Sequence, residues 1–314
     1  MIQIYLIFLL IFFAIFYFRT NYISKFVNLY DYPDKKRKFH KKPTPLIGGF
    51  IFLFFLIFFN FFSIFYNFYV IDLKTQITIT IACFFFFLLG YIDDKYEINA
   101  FHKLLIQFAI SITSFYFLNE NLIIYSLEFE SVNLTIDVGN YSLIFNSLCL
   151  VVFLNALNMF DGQDGQVSIY ITFVLFLLLI MGIEIYFCLG LLIFNVLFLL
   201  LNLQKKTFLG DNGVFLIGSL VSYLIIIGYK RNFILVDEIF IIMMLPGIDM
   251  LRLFIVRSLQ KRSPFSPDRQ HLHHYIQKKF SKRYSLVIIS FLGILPYVIH
   301  NYFNIIFNLI FFIL

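Results

Sequence analysis

The chain has 314 residues, of which 61% are hydrophobic and 13% charged. So apolar a chain cannot cover a soluble globule with polar groups, which leaves an integral membrane protein with little mass outside the bilayer. The net charge of +6 does not indicate a nucleic-acid partner, because Lys and Arg gather beside the hydrophobic spans as topology signals do.

A helix crosses the hydrocarbon core in about 20 apolar residues. Segments of this kind are 2–18, 46–66, 75–92, 102–118, 142–159, 166–182, 184–202, 213–229, 233–257 and 284–299. A short final stretch, 302–314, makes the count ten or eleven helices. The first run has no basic leader and no small-residue cleavage site, so it is expected to stay as a span. If 19–45 is cytoplasmic, parity places 93–103, 159–166, 203–212 and 258–283 on the same side. With Arg252 and Arg257 at the inner end of the ninth span, that side holds 21 of the 24 Lys and Arg, leaving Lys74, Lys230 and Arg231 outside. The asymmetry supports the span count and an external N-terminus. With no composition break or internal repeat, residues 1–314 are expected to form one all-α polytopic membrane domain with those cytoplasmic loops.

Two segments depart from simple spans. Residues 120–141 carry no Lys or Arg and alternate in Leu127-Glu128-Phe129-Glu130 and Asn133-Leu134-Thr135-Ile136-Asp137-Val138. With Gly139-Asn140 offering a turn, they predict a small external β-hairpin. The ninth span exceeds one crossing and contains Pro246-Gly247, which predicts a broken helix with its second half along the interface. Cys83, Cys149 and Cys188 lie in apolar segments without metal-ligand spacing and read as small packing residues.

Four polar islands interrupt the apolar chain, and parity places all of them on the cytoplasmic side. Asp93-Asp94 ends the third span. Two solvated loop acids are the bland reading, but adjacent carboxylates repel unless a metal or lysine lies near, and one of them then suits a general base. Asn155-Ala156-Leu157-Asn158-Met159-Phe160-Asp161-Gly162-Gln163-Asp164-Gly165 is more specific. Asn155, Asn158 and Asp161 share roughly one helix face, and amides within a span need partners. Helix–helix glue followed by an ordinary loop is the alternative. Gly210-Asp211-Asn212-Gly213 opens the eighth span, where Asp or Asn would cap the helix or Asp211 would serve as a hard oxygen ligand for magnesium. His271-Leu272-His273-His274 closes a string that begins at Ser263. Zinc is conceivable there, but no Cys or second His cluster completes the coordination, and with Arg269 the histidines suit a diphosphate. An ion-coupled transporter is a different class of reading, but it needs carboxylates near mid-span and often inverted repeats.

Taken together, the islands resemble the motifs of the polyprenyl-phosphate N-acetylhexosamine-1-phosphate transferase superfamily (glycosyltransferase family 4), in order and at compatible spacing from about Asp31 to His274. The string Asp31 to Gly49 resembles the first cytoplasmic loop, and Asp93-Asp94 with Lys103 the aspartate-rich motif. The segments Asn155–Gly165 and Gly210–Gly213 resemble the third and fourth signatures, and Ser263–His274 resembles the WecA/TagO-like form of the last loop. Glu97, Gln163, Gln166 and Val214 depart from the usual residues.

The resemblance implies a multi-pass enzyme of the bacterial inner membrane. It would transfer N-acetylhexosamine-1-phosphate, most often GlcNAc-1-phosphate, from a UDP-sugar to undecaprenyl phosphate. UMP would be released and a surface polysaccharide begun. UDP-QuiNAc, UDP-FucNAc and UDP-MurNAc-pentapeptide are alternative donors. The implied cofactor is Mg2+, with Mn2+ as a substitute, and the implied partners are the two substrates, the bilayer and a second copy as a homodimer. Asp211 with Asn158 would hold the metal, and Asp93, supported by Asp94, would keep the lipid phosphate deprotonated. Asp161 and Asp164 would order nucleotide and metal, with direct attack by Asp161 left open. Lys103, Asn155, Asn158, Arg269, His271, His273 and His274 would bind substrate.

Overall fold

The computed structural model describes residues 2–33, 42–66, 71–118, 122–264 and 270–303. In chain order it contains α1 (Ile2–Val27), β1 (Tyr30–Asp31), β2 (Thr44–Pro45), α2 (Gly48–Tyr66), α3 (Leu73–Tyr96), α4 (Ala100–Leu118), β3 (Ser126–Phe129) and β4 (Leu134–Asp137). There follow α5 (Ser142–Phe160), α6 (Gln166–Ile180), α7 (Ile185–Leu203), α8 (Gly210–Lys230), α9 (Val236–Leu259), α10 (Leu272–Gln277) and α11 (Lys282–Phe303). Among the described residues nine helices are long and apolar enough to cross a membrane, and α6 is a shorter apolar helix. These ten coincide with the ten spans read from hydropathy, giving an all-α polytopic membrane protein. The eleventh stretch lies outside the described residues beyond Phe303.

Helix α8 is the axis of the bundle. In its apolar window 89% of residues are buried, against 22% to 56% in the other spanning helices. Close packing along α8 relies on small residues, as is usual where lipid supplies no hydrophobic drive between helices. The tightest approach to its backbone is at Gly90 of α3, where a Cβ would lie 2.4 Å from the Asp211 carbonyl oxygen. This contact brings the last turn of α3 onto the first turn of α8.

The expected hairpin is present: β3 pairs antiparallel with β4, Ser126 opposite Asp137 and Phe129 opposite Leu134. Its turn is not Gly139-Asn140 but residues 130–133, with Asn133 at φ 53°. Asn tolerates that left-handed geometry, whereas Gly139–Tyr141 forms a 3-10 turn leading into α5. The Asp237 carboxylate at the start of α9 accepts from the Ser131 amide and hydroxyl at 3.1 and 3.2 Å.

The expected break in the ninth helix does not occur. Helix α9 continues from Val236 to Leu259 with Pro246 inside it. Proline cannot donate to the carbonyl four residues back, which is that of Ile242. The Tyr170 hydroxyl of α6 donates to that oxygen at 2.8 Å. A neighbouring helix thus satisfies the group Pro246 leaves open, as spanning helices tolerate proline.

Candidate active site

The site forms at the end of the bundle opposite the hairpin. Asp94, in the last turn of α3, accepts the Asp211 amide through Oδ1 at 2.9 Å and the Asn212 amide through Oδ2 at 3.0 Å. The Asn212 side-chain amide also donates to Oδ2. The first amides of α8 lack helical partners and carry partial positive charge, so a carboxylate suits them. The cap expected of Asp211 or Asn212 is therefore supplied by a different helix.

Asp93 accepts the Ile98 amide through Oδ1 at 2.7 Å, and its Oδ2 lies 2.6 Å from Lys103 Nζ. Lys103, from the first turn of α4, also reaches Asp211 Oδ2 at 3.1 Å. Asn158 Nδ2 donates to that same oxygen at 3.1 Å. Helices α3, α4, α5 and α8 thus each contribute a polar group to one centre. The Asp211 side chain is 25% exposed and Asp93 only 9%, so the centre opens on the Asp211 side.

Asn155, one turn before Asn158, is placed differently. Its amide donates to Gln107 Oε1 at 2.6 Å, joining α5 to α4 instead of entering the carboxylate centre. Asp161 ends α5 beside that centre. Burial, then the charges of Asp164 and Asp94, push its carboxyl from the usual 3.8 up to about 7. The following turn is anchored through Gly165, at φ 84°, whose amide donates to Asn202 Oδ1. Asn202 in turn donates to the Thr207 carbonyl at 2.9 Å, and the Thr207 hydroxyl donates to the Pro45 carbonyl at 3.0 Å. Gly49 at the head of α2 donates its amide to Asn212 Oδ1 at 2.8 Å. One network therefore joins the first loop, the third signature and the start of α8.

The histidine loop closes the site from the side of α9. Asp249, buried in α9, accepts the Leu272 amide at 3.1 Å and Arg252 Nη2 at 2.7 Å. His271 Nδ1 lies 3.4 Å from its other oxygen, and Arg252 also donates to the Gln270 carbonyl. This clamp fixes the start of α10. His273 then packs against Gly162, where a Cβ would meet His273 Cε1 at 1.9 Å; only glycine admits the imidazole so close to Asp161. Burial, then His274 and His271, hold His273 down to about 3. It is therefore a neutral imidazole, and its buried Nε2 meets no hydrogen-bond partner among the described residues. His274 lies beside it, ring centroids 4.0 Å apart and the planes tilted by 47°. Arg269 lies outside the described residues.

Asp249, Arg252, Asn202 and Gln163 have structural roles that motif reading missed. Gln163 binds the last helices to the Asp161–Asp164 turn. It donates to the Lys282 carbonyl at 2.6 Å and accepts from Gln277 at 2.7 Å and from Ser285 at 3.2 Å. An available signal for Asp249 was its pairing with Arg252 at i, i+3 inside an apolar helix, where ionisable residues are costly.

The donor set can be tested against a metal. Among the described residues no three His, Cys, Asp or Glu side chains converge as a metal site, and the His271 and His273 rings stack on each other, which does not suit zinc. Magnesium needs less from the protein, since one or two carboxylates plus substrate phosphates suffice. Asp211 with Asn158 fits that requirement.

The sequence model of glycosyl transferase family 4 matches residues 76–229. Over those residues the chain is similar to glycosyl transferase family 4. The span matched by the family includes Asp93, Asp94, Lys103, Asn155, Asn158, Asp161, Asp164 and Asp211, while Asp249 and His271–His274 lie beyond it. Similar proteins include the undecaprenyl-phosphate alpha-N-acetylglucosaminyl 1-phosphate transferase of Escherichia coli O157:H7. It is 29% identical over 305 residues, covering 91% of this chain and 79% of that protein. The probable undecaprenyl-phosphate N-acetylglucosaminyl 1-phosphate transferase of Bacillus subtilis (strain 168) is 28% identical over 271 residues, 82% and 72% of the two chains. The Thermotoga maritima undecaprenyl-phosphate alpha-N-acetylglucosaminyl 1-phosphate transferase is 26% identical over 289 residues, 88% and 83% of the two. These similarities and the helical architecture together support a membrane-embedded transferase.

Proposed function

We propose that the protein transfers GlcNAc-1-phosphate from UDP-GlcNAc to undecaprenyl phosphate and releases UMP, the opening step of a cell-surface polysaccharide. The observation that carries this reading is the convergence of Asp93, Lys103, Asn158 and Asp211 on one centre, in a chain similar to enzymes named for that transfer. The site end of the bundle faces the cytoplasm, in keeping with the 21 of 24 Lys and Arg that parity assigns to that side.

The chemistry exchanges one phosphoanhydride for another. A lipid phosphate oxygen attacks the sugar-linked phosphorus, and UMP carries away the bonding electrons. Two anions must approach, so catalysis rests on positioning and charge neutralisation. Asp211, with Asn158, would hold Mg2+, or Mn2+ in its place. That ion supplies neutralisation of diphosphate charge. Lys103, held by Asp93, presents an ammonium to the lipid phosphate. Asp93 and Asp161 are the carboxylates available to accept a proton from that phosphate, and Asp161, with its carboxyl pushed up to about 7, is suited to exchange protons at neutral pH. His273 and His274 would donate to diphosphate or sugar, with Asp249 and Arg252 holding their backbone.

Purified protein in lipid nanodiscs with undecaprenyl phosphate tests the reading against a panel of UDP-N-acetylhexosamines. UDP-GlcNAc is expected to give the fastest UMP release, dependent on Mg2+ and lost in Asp211→Asn. Absence of UMP release from every donor would overturn the transferase assignment. Faster release from UDP-QuiNAc, UDP-FucNAc or UDP-MurNAc-pentapeptide would overturn the choice of sugar.

A further inference from the structure

The Asp211 oxygen that faces the centre already accepts from two donors. Lys103 Nζ and Asn158 Nδ2 each lie 3.1 Å from Asp211 Oδ2. Lys103 is also bonded to Asp93 Oδ2 at the shorter distance of 2.6 Å. Asp94 is engaged elsewhere, its two oxygens accepting the amides of Asp211 and Asn212. The Phe215 ring, whose centroid is 5.6 Å from Nζ, adds an apolar neighbour on α8.

We propose that Lys103 and the divalent cation compete for Asp211, and that the ammonium displaced from Asp211 becomes the anchor for the lipid phosphate. The proposal rests on the reading of Asp211 as metal ligand. A magnesium ion binds carboxylate oxygen at about 2.0–2.1 Å. An ammonium on the same oxygen would then stand within about 4 Å of a dication, where like charges repel strongly at reduced dielectric. The Asp211 contact is the longer of the two lysine bonds, so it yields first. Lys103, still bonded to Asp93, is then left with the ammonium hydrogens that faced Asp211, and an anionic phosphate is the group able to pair with them. Because coupling between sites is reciprocal, cation and lipid phosphate each tighten the binding of the other.

The test is Mn2+ binding to the full-length protein in nanodiscs, followed by electron paramagnetic resonance with and without undecaprenyl phosphate. In the wild type the lipid phosphate is expected to tighten Mn2+ binding by about fivefold or more. Lys103→Met should bind Mn2+ more tightly than wild type in lipid-free discs, and added lipid phosphate should no longer tighten it. Lys103→Arg keeps the charge and has a fork that spans both carboxylates, so it should bind Mn2+ more weakly than wild type. Weaker Mn2+ binding in Lys103→Met with an unchanged melting temperature, or full coupling in that variant, would overturn the proposal. Should Lys103→Met fail to fold, tighter binding in Lys103→Arg would do the same. Asp211→Asn separates the two levels: retained Mn2+ binding there overturns the metal assignment itself, whereas its loss leaves the Lys103 variants to decide the competition.

Discussion

Asp94 accepts the backbone N–H of Asp211 at 2.9 Å, so a carboxylate at the end of one helix caps the helix that carries the proposed metal ligand. A carboxylate in the last turn of its own helix opposes that helix's dipole. The N-terminal amides of α8 offset this, and the bond joins two motifs 117 residues apart.

The cap makes Asp94 a positioning residue. Asp94→Ala leaves the α8 amides without an acceptor, a loss of about 0.5–2 kcal/mol for a helix cap. The melting temperature should fall together with the rate of UMP release, by a hundredfold or more on the scale of about 1 Å misplacement. Asp94→Asn, which keeps one good acceptor, should recover part of the stability. Wild-type melting in Asp94→Ala with activity abolished would assign Asp94 to the chemistry instead.

Asp249 holds the histidine loop from a buried position. Asp249→Ala removes the acceptor for Leu272 and the partner of Arg252, at about 3 kcal/mol for a broken buried pair. The His273 ring would lose its register against Gly162, so KM for the UDP-sugar is expected to rise at least tenfold. Asp249→Asn should give a smaller rise. Unchanged KM in both variants would show that the clamp does not govern donor binding.

Asp161 and His273, two shifted groups outside the spans, act on opposite limbs of the pH profile. Asp161 keeps its proton up to about 7 in the folded protein but releases it near 3.8 when unfolded. The folded state therefore binds more protons between those values, and stability falls as pH rises through that window. Asp161→Asn mimics the neutral acid, so it should melt close to wild type at pH 5 and above it at pH 8. His273 is the reverse case, held down to about 3 against 6.5 unfolded. Stability is lost as pH falls below 6.5 towards 3, and His273→Gln should flatten that acid limb. Melting curves across pH 4 to 8, in one detergent, would show both slopes or refute them.

Tyr170 preserves α9 across Pro246. Tyr170→Phe strips the Ile242 carbonyl of its donor, which should cost about 1–3 kcal/mol as an unsatisfied buried group. Hydrogen exchange should rise in the amides flanking Pro246 while those of α8 stay protected. Unaltered exchange there would show that α9 needs no donor from α6.

Much of the fold was legible because the bilayer imposes a length and a polarity on each span. The ten apolar runs, the hairpin in the Lys- and Arg-free segment 120–141 and the gathering of Asp93, Asn158, Asp161, Asp211 and His273 at one end all follow from local composition and parity. The continuity of α9 was not legible, because Pro246 looks the same whether or not a tyrosine from another helix waits beside Ile242.

At the site itself, residue type and spacing determined which side chains were candidates, since Asp, Asn and His in apolar surroundings are costly unless used. Only the tertiary structure decided their division of labour: Asp94 to the α8 cap, Asn155 to Gln107, Lys103 between Asp93 and Asp211, and Asp249 to the histidine loop. The reason is physical. Burial cost is a property of each residue and its neighbours in sequence, whereas a hydrogen-bond partner is supplied by whichever helix the packing brings within about 3 Å.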